Sequence, residues 1–465
     1  MVTRLSASDA AFYHLENTAT PMYVGSLSIL RKPRNGLSYE TLLATVERRL
    51  PQIPRYRQKV REVAFGLARP VWIDDRDFDI TYHIRRSALP SPGSDAQLHD
   101  LVARLGSRQL DKSRPLWEMY LVEGLAKNRI AVYTKTHQAL VNGMTALEVG
   151  HVIADRTQKA PVFGEDIWIP AREPSDTRLV VGAVGEWIAR PGVQLAAVRS
   201  AVSNTSQLVD VGRRLADVAK TVARGTAPNS PLNTTVSRNR RFAVACHRLE
   251  DYRGLRARYD CDVNDVVLAV VAGALRNWLM SRGEPVTSTS TVRAMAPMSV
   301  YPDGELDATG PGQAISEVSP FLVDLPVGEG NAVVRLSQIA HATESVSTAA
   351  SLVDARTIVT LSGFAPPTLH AMGTRVATSF SARQFNVLIT NVPGAQKQMY
   401  LAGTKLLETY AVPPLLNNQV LAIGVTSYNG MLYFGINADR DAMSDVDVFP
   451  TLLAESLDEL LEAAR

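Results

Sequence analysis

Lys135-Thr136-His137-Gln138-Ala139-Leu140-Val141-Asn142-Gly143 is the stretch that decides the fold. It follows a β-rich run, Ile130–Thr136, and precedes a helical run, Met144–Ala154. A polar cluster at a strand's end, closed by Gly where the chain must turn, is how α/β folds present reactive side chains. His is the side chain best suited to take a proton from an alcohol near neutral pH. Against that stands the structural alternative, because a single His beside a turn is more often a hydrogen-bonding residue than a base.

Working outward, the first third of the chain alternates the two periodicities. Tyr39, Leu42, Leu43, Val46 and Leu50 share one helical face opened by Ser38, and Pro51 and Pro54 end that helix. Leu98, Leu101, Val102 and Leu105 predict a second amphipathic helix, while Met22–Leu30 and Trp117–Val122 read as strands. From residue 171 strands fade. Leu208, Val211, Leu215, Val218 and Val222 line one helical face, and the stretch from Asp176 to Arg241 carries ten basic residues against Asp176, Glu186, Asp210 and Asp217. Such a helix either packs as a connector with a solvated polar face or lies on anionic lipid. After Ala227-Pro228-Asn229-Ser230-Pro231 a second α/β unit begins. Its predicted helices are Asn264–Leu279, Arg335–Thr343 and one closing on Leu453, Leu457, Leu460 and Leu461. Its predicted strands are Thr291–Met298, Phe385–Thr390, Val420–Tyr428 and Met431–Ala438. The expected class is therefore α/β in three parts: an α/β domain over residues 1–165, a helical connector over 166–240 and a second α/β domain over 241–465.

Composition narrows the function. Hydrophobic residues make up 46% of the 465, charged residues 20%, and the net charge is +3. That describes a packed protein without the basic stripes of a nucleic-acid binder. Cys246 and Cys261 are the only cysteines, so neither a disulfide framework nor a zinc site is expected, and a reducing cytoplasm is the natural compartment. No charged n-region precedes an apolar core at the N-terminus, so no secretory signal is expected. The longest wholly apolar run, Val266–Leu275, is shorter than the roughly 18–20 residues that span a bilayer. Membrane contact is expected to be peripheral.

The motifs then converge on one family. Leu5-Ser6-Ala7-Ser8-Asp9 with Pro21-Met22-Tyr23-Val24-Gly25, Phe78-Asp79 with His83, and Leu89-Pro90-Ser91-Pro92-Gly93 occur in order. Leu110-Asp111, Arg114-Pro115-Leu116-Trp117-Glu118, Pro231-Leu232-Asn233, Asn264-Asp265-Val266-Val267-Leu268-Ala269, Asn391-Val392-Pro393-Gly394 and Ser427-Tyr428 follow. Each piece alone is of low specificity; their order and spacing carry the resemblance. In this the chain resembles the bacterial wax ester synthase/diacylglycerol acyltransferases, especially the mycobacterial-type triacylglycerol synthases, almost end to end.

The resemblance implies two chloramphenicol-acetyltransferase-like domains around an apolar tunnel, entered by acyl-CoA from one side and by a diacylglycerol or long-chain alcohol from the other. It implies triacylglycerol synthesis, wax ester synthesis also being within reach, with no metal and no cofactor beyond acyl-CoA as substrate. It also implies a cytoplasmic protein attached peripherally to membrane or lipid droplet. The family's His-His-x-x-x-Asp-Gly motif uses its second His as general base on the acceptor hydroxyl. Here Gln138 holds that position, Asn142 that of the Asp, and Gly143 the glycine, with His137 matching the first His. Gln donates and accepts hydrogen bonds but stores no proton near neutrality. Neighbours on a regular strand point to opposite faces, so His137 replaces the base only if the chain bends there. Losing a general base costs ~10²–10⁴ in rate. The alternative is thus a paralogue that binds acyl-CoA or neutral lipid without efficient turnover. Asn264 is a candidate hydrogen-bond donor to the thioester carbonyl, and Asn264-Asp265 is equally a helix cap; the two are compatible. Arg114 is a candidate ligand contact, Pro115-Leu116-Trp117 reads as a packing motif, and Asn391-Val392-Pro393-Gly394 as a turn that shapes the tunnel.

Overall fold

Ser38 accepts the Thr41 backbone N–H at its hydroxyl, 3.1 Å away. Ser94 and Gln97 cap each other's backbone reciprocally. These two caps start two of the helices that the sequence predicts. They belong to a computed structural model that describes residues 3–32, 37–64, 68–141, 154–158, 168–181, 226–298, 319–349 and 384–465.

Five helices precede residue 142: α1 (Ala7–Leu15), α2 (Tyr39–Glu47), α3 (Ile80–His83), α4 (Asp95–Gly106) and α5 (Gln138–Val141). Four more used below are α6 (Leu249–Tyr259), α7 (Val263–Ser281), α8 (Ala332–Ala349) and α9 (Phe449–Ala463). The first eight strands are β1 (Thr3–Arg4), β2 (Tyr23–Arg31), β3 (Gln58–Arg61), β4 (Val71–Asp74), β5 (Ile84–Ala88), β6 (Trp117–Leu125), β7 (Arg129–His137) and β8 (Ala154–Asp155). The other eight are β9 (Arg240–Arg248), β10 (Val292–Met298), β11 (Ser319–Leu325), β12 (Val387–Pro393), β13 (Tyr400–Leu401), β14 (Thr404–Val412), β15 (Leu421–Tyr428) and β16 (Met431–Asp439). They form a seven-stranded sheet β5-β6-β7-β2-β14-β13-β8, a six-stranded sheet β11-β10-β12-β15-β16-β9, and a small sheet β1-β4-β3. All the helices and strands predicted within the described residues form, with one exception. Ala154, read as the end of a helical run, is in β8 and pairs with Leu401. Residues 142–153 and the connector positions Leu208–Val222 lie outside the described residues.

Sheet membership does not follow the division at residues 240 and 241. β14, from the second half of the chain, pairs antiparallel with β2 of the first. This strand went unread because a bulge between Leu406 and Glu408 breaks its alternation, and Lys405 and Glu408 interrupt its apolar run. Its seat on the six-stranded sheet requires two bare positions. Gly424 and Gly435 pair across β15 and β16. A Cβ on Gly435 would lie 1.7 Å from the Ala411 carbonyl oxygen, and one on Gly424 2.8 Å from the Ala411 Cβ. Only glycine allows the crossing backbone this close.

Each large sheet carries its own apolar core. In the second, α7 buries 13 residues between Asp265 and Leu279. A helix apolar all round is a core helix or a membrane span. Among the described residues α7 is the one helix long and apolar enough to cross a bilayer; here it packs against α8 and α9.

Candidate active site

The end of β7 is fixed on both sides. The His137 backbone N–H donates to the Leu116 carbonyl and the Gln138 N–H to the Met22 carbonyl, both at 2.9 Å. Consecutive N–H groups reach opposite neighbours, as on a regular strand. The chain then bends into the single helical turn of α5, which packs on α1.

The His137 side chain explains the bend. It is fully buried, and its Nδ1 accepts the Ala139 backbone N–H at 3.0 Å. A backbone N–H only donates, so the neutral ring carries its proton on Nε2. That nitrogen faces Glu16 Oε2 at 3.8 Å, too far for a hydrogen bond. Glu16 does not support a charged imidazole either. Its Oε2 is paired with Lys112 at 3.1 Å, and the Lys112 charge opposes a second cation. Burial, reinforced by Lys112, pushes the His137 pKa down to about 3. A general base works best with a pKa near the operating pH, and the one lone pair of this ring is already used. In this structure His137 holds the turn that leads into Gln138.

Gln138 opens α5 and is partly exposed, yet its Oε1 is buried without a hydrogen-bond partner among the described residues. A buried unpaired acceptor costs about 1–3 kcal/mol, so this oxygen awaits a donor. Asn142 and Gly143 lie outside the described residues. Lys135, two residues before His137 on the same face, was not singled out by sequence. Its buried Nζ donates to the carbonyls of Leu105 and Arg108 at 3.1 and 2.6 Å, securing the end of α4. Burial lowers its pKa to about 8.

On the second sheet, α7 begins at the other candidate pair. The Asp262 backbone N–H donates to Asp265 Oδ2 at 2.8 Å, and the Thr343 hydroxyl of α8 donates to Asp265 Oδ1 at 2.6 Å. Burial raises the Asp265 pKa, against those hydrogen bonds. Asp265 thus takes the cap role, with Asp262. Asn264 is left free of it. Its Oδ1 accepts a hydrogen bond from Asn391 Nδ2, so two motifs read separately in the sequence meet here.

The other candidates settle into packing. The Arg114 guanidinium lies 3.9 Å from the centre of the Tyr82 ring and 3.7 Å from Asp111, stacked on that ring at the surface. Trp117 is buried, donates to the Tyr56 carbonyl at 2.8 Å and stacks on His83 at 4.6 Å, as the packing reading of Pro115-Leu116-Trp117 expects.

A narrow cleft lies between the large sheets; its walls include Ser26 and Ser28 of β2, Val132 and Thr134 of β7, and Thr426 and Ser427 of β15. Alternation along β7 puts Val132 and Thr134 on the face opposite His137, so the histidine turns away from it. The described part of the expected tunnel wall, His137–Val141, does not line this cleft. Met399, Leu401, Leu406 and Tyr428 also line it, and the lining is mostly apolar.

Comparison with known proteins gives these features a setting. The family model for the wax ester synthase/diacylglycerol acyltransferase catalytic domain matches residues 5–267, and that for the C-terminal domain of the same family matches residues 317–461. The chain is similar to a Mycobacterium tuberculosis protein named probable diacylglycerol O-acyltransferase tgs3, with 74% identity over 266 residues, 56% of this chain and 98% of the relative. Its fold is similar to that of a wax ester synthase/diacylglycerol acyltransferase from Marinobacter aquaeolei VT8, with TM-score 0.69 and 25% identity over 99% of this chain and 100% of that one. The first condensation domain of the CDA synthetase shares the fold at TM-score 0.54 and 13% identity, over 99% of this chain and 95% of that one. The two-unit α/β architecture expected from the sequence is that of these structures.

Proposed function

This chain belongs to the wax ester synthase/diacylglycerol acyltransferase family, and we propose that it makes triacylglycerol by a hydrogen-bonding site that lacks a titratable base. The acceptor hydroxyl oxygen of a diacylglycerol bonds to the acyl carbon of acyl-CoA, the C–S bond breaks, and the hydroxyl proton ends on the CoA thiol. The Gln138 Oε1, buried and without a hydrogen-bond partner among the described residues, is the observation that carries the reading. It accepts the acceptor's O–H and orients it but does not hold the proton, which passes through water to the leaving sulfur. The Asn264 amide donates to the thioester oxygen as charge develops there. Long-chain alcohols enter the same scheme and yield wax esters. Acyl-CoA is a substrate, and neither a metal nor a further cofactor takes part.

The second reading is a protein that binds acyl-CoA or neutral lipid without efficient turnover, and the amide at position 138 favours it. Purified protein with labelled acyl-CoA and diacylglycerol separates the two. Labelled triacylglycerol with stoichiometric release of CoA thiol supports the transferase. Saturable acyl-CoA binding with no product above the uncatalysed rate supports the binder. Because both substrates carry lipid chains, the chain works at a cytoplasmic membrane or droplet surface by peripheral attachment. Release by carbonate washing tests this, and extraction by detergent alone would contradict it.

A further inference from the structure

We infer that Asn391 is a positioning residue that sets the polarity of the Asn264 amide, so that Asn264 presents its N–H donors to the substrate's thioester oxygen; this rests on the role just proposed for Asn264.

The inference starts from what Asn264 is not needed for. The head of α7 is capped by Asp262 and Asp265, and both Asp265 oxygens have donors. No helix-capping demand falls on the Asn264 side chain. Its Oδ1 instead accepts from Asn391 Nδ2. Asn391 is 5% exposed, and its backbone is fixed between two strands, opposite Met298 of β10 and Val425 of β15. With its backbone held in the sheet, Asn391 places its Nδ2 donor at the Asn264 Oδ1.

An amide has an acceptor end and a donor end in one plane. With the acceptor end consumed by Asn391, the NH₂ group of Asn264 is the end left to meet a ligand. A developing oxyanion needs donors, and a carbonyl oxygen aimed at it would be repulsive. The direction of a single hydrogen bond between two asparagines therefore decides whether Asn264 assists or opposes acyl transfer. The opposite direction, Asn264 donating to Asn391, predicts the opposite mutational pattern.

The test uses the full chain and acyl-CoA carrying a ¹³C-labelled thioester carbonyl, without acceptor, so that it reads polarisation whether or not the protein turns over. Isotope-edited infrared spectroscopy of the bound thioester should show its carbonyl stretch lowered relative to free acyl-CoA. Asn391→Asp removes the donor and compels Asn264 to turn its NH₂ toward the new carboxylate; the lowering should vanish while acyl-CoA affinity changes less than about threefold. Asn391→Ser keeps a donor and should retain part of the shift, and Asn391→Ala covers the case in which the Asp variant does not fold. In an Asn264→Ala background, Asn391→Asp should change nothing further. A shift that survives both Asn391→Asp and Asn391→Ala but is lost in Asn264→Ala overturns the positioning role alone. A shift that survives Asn264→Ala overturns the role of Asn264 itself, and the inference with it.

Discussion

The end of β7 and the head of α7 each carry a dipeptide of one titratable residue and one amide, and in both the fold has consumed the titratable one. At His137-Gln138 the imidazole accepts Ala139 N–H and faces inward, and Gln138 Oε1 has no partner among the described residues. At Asn264-Asp265 the carboxylate takes the Asp262 N–H and the Thr343 hydroxyl, leaving the Asn264 amide turned to Asn391. The order of roles is reversed along the chain, and the outcome is the same. On the function proposed above, each place offers a substrate a hydrogen bond and no proton acceptor.

The sharpest way to break this symmetry is to return a titratable group to the free position. Gln138→His should raise the rate of triacylglycerol formation by ~10²–10⁴, with a new ionisation in the pH profile near the ordinary imidazole value of about 6.5. Equal rates in parent and variant would mean that position 138 does not meet the acceptor hydroxyl.

The next effect contrasts the two members of the second pair. Asn264→Ala should lower kcat by ~10²–10³, the loss typical of one oxyanion donor, with a stability loss of about 1–3 kcal/mol because the buried Asn391 Nδ2 loses its acceptor. Asp265→Ala should leave kcat unchanged and lower stability by about 0.5–2 kcal/mol through loss of the cap. Thermal melts beside initial rates check both. A loss of kcat confined to Asp265→Ala would exchange the roles assigned here.

His137 gives a stability effect with a definite pH dependence. His137→Ala leaves the Ala139 N–H unpaired and should cost about 1–3 kcal/mol at pH 7. The folded-state pKa of His137 is depressed, to about 3, below its unfolded value near 6.5. The unfolded chain therefore binds the proton first as pH falls. The stabilising contribution of the neutral ring is complete above pH 6.5 and is lost as pH drops toward 3. Denaturant midpoints should show the variant's deficit shrinking over that window. A deficit that grows on acidification would indicate a protonated, paired His137. Arg114→Ala marks the small end of the scale. With its guanidinium half-exposed over Tyr82 and beside Asp111, kcat/KM should change less than about threefold; a larger loss would restore it as a ligand contact.

The sequence made much of this legible, and the failures have physical causes. Helices with Ser caps and apolar faces, α2 and α4, stand where Ser38 and the Leu98–Leu105 pattern put them, because local capping and periodicity determine them. β14 escaped because its bulge and its charged residues hide a strand whose pairing partner, β2, is remote in the chain. Asn264-Asp265 was readable as a cap, an oxyanion donor or both. Only the bonds from Asp262 and Thr343 place Asp265 in the cap, which leaves the donor role to be proposed for Asn264. His137 could be a base or a brace by residue type, and the deciding contacts, Ala139 N–H and the Glu16–Lys112 pair, join segments that no local pattern links. Asn391-Val392-Pro393-Gly394 reads as a turn because Pro and Gly end it, yet Asn391–Pro393 close strand β12; a polar side chain ending a buried strand is the signal for Asn391.

The central claim is that the site offers hydrogen bonds and no base between residues 137 and 138, and the pH dependence of kcat for the unaltered protein tests it most directly. Measured from pH 5 to 7.5 at saturating acyl-CoA and diacylglycerol, kcat should show no ionisation near 6.5, and His137→Ala should leave the shape of the profile unchanged. A rise in kcat through an apparent pKa near 6.5 that disappears in His137→Ala would contradict it, and would make the buried imidazole the base.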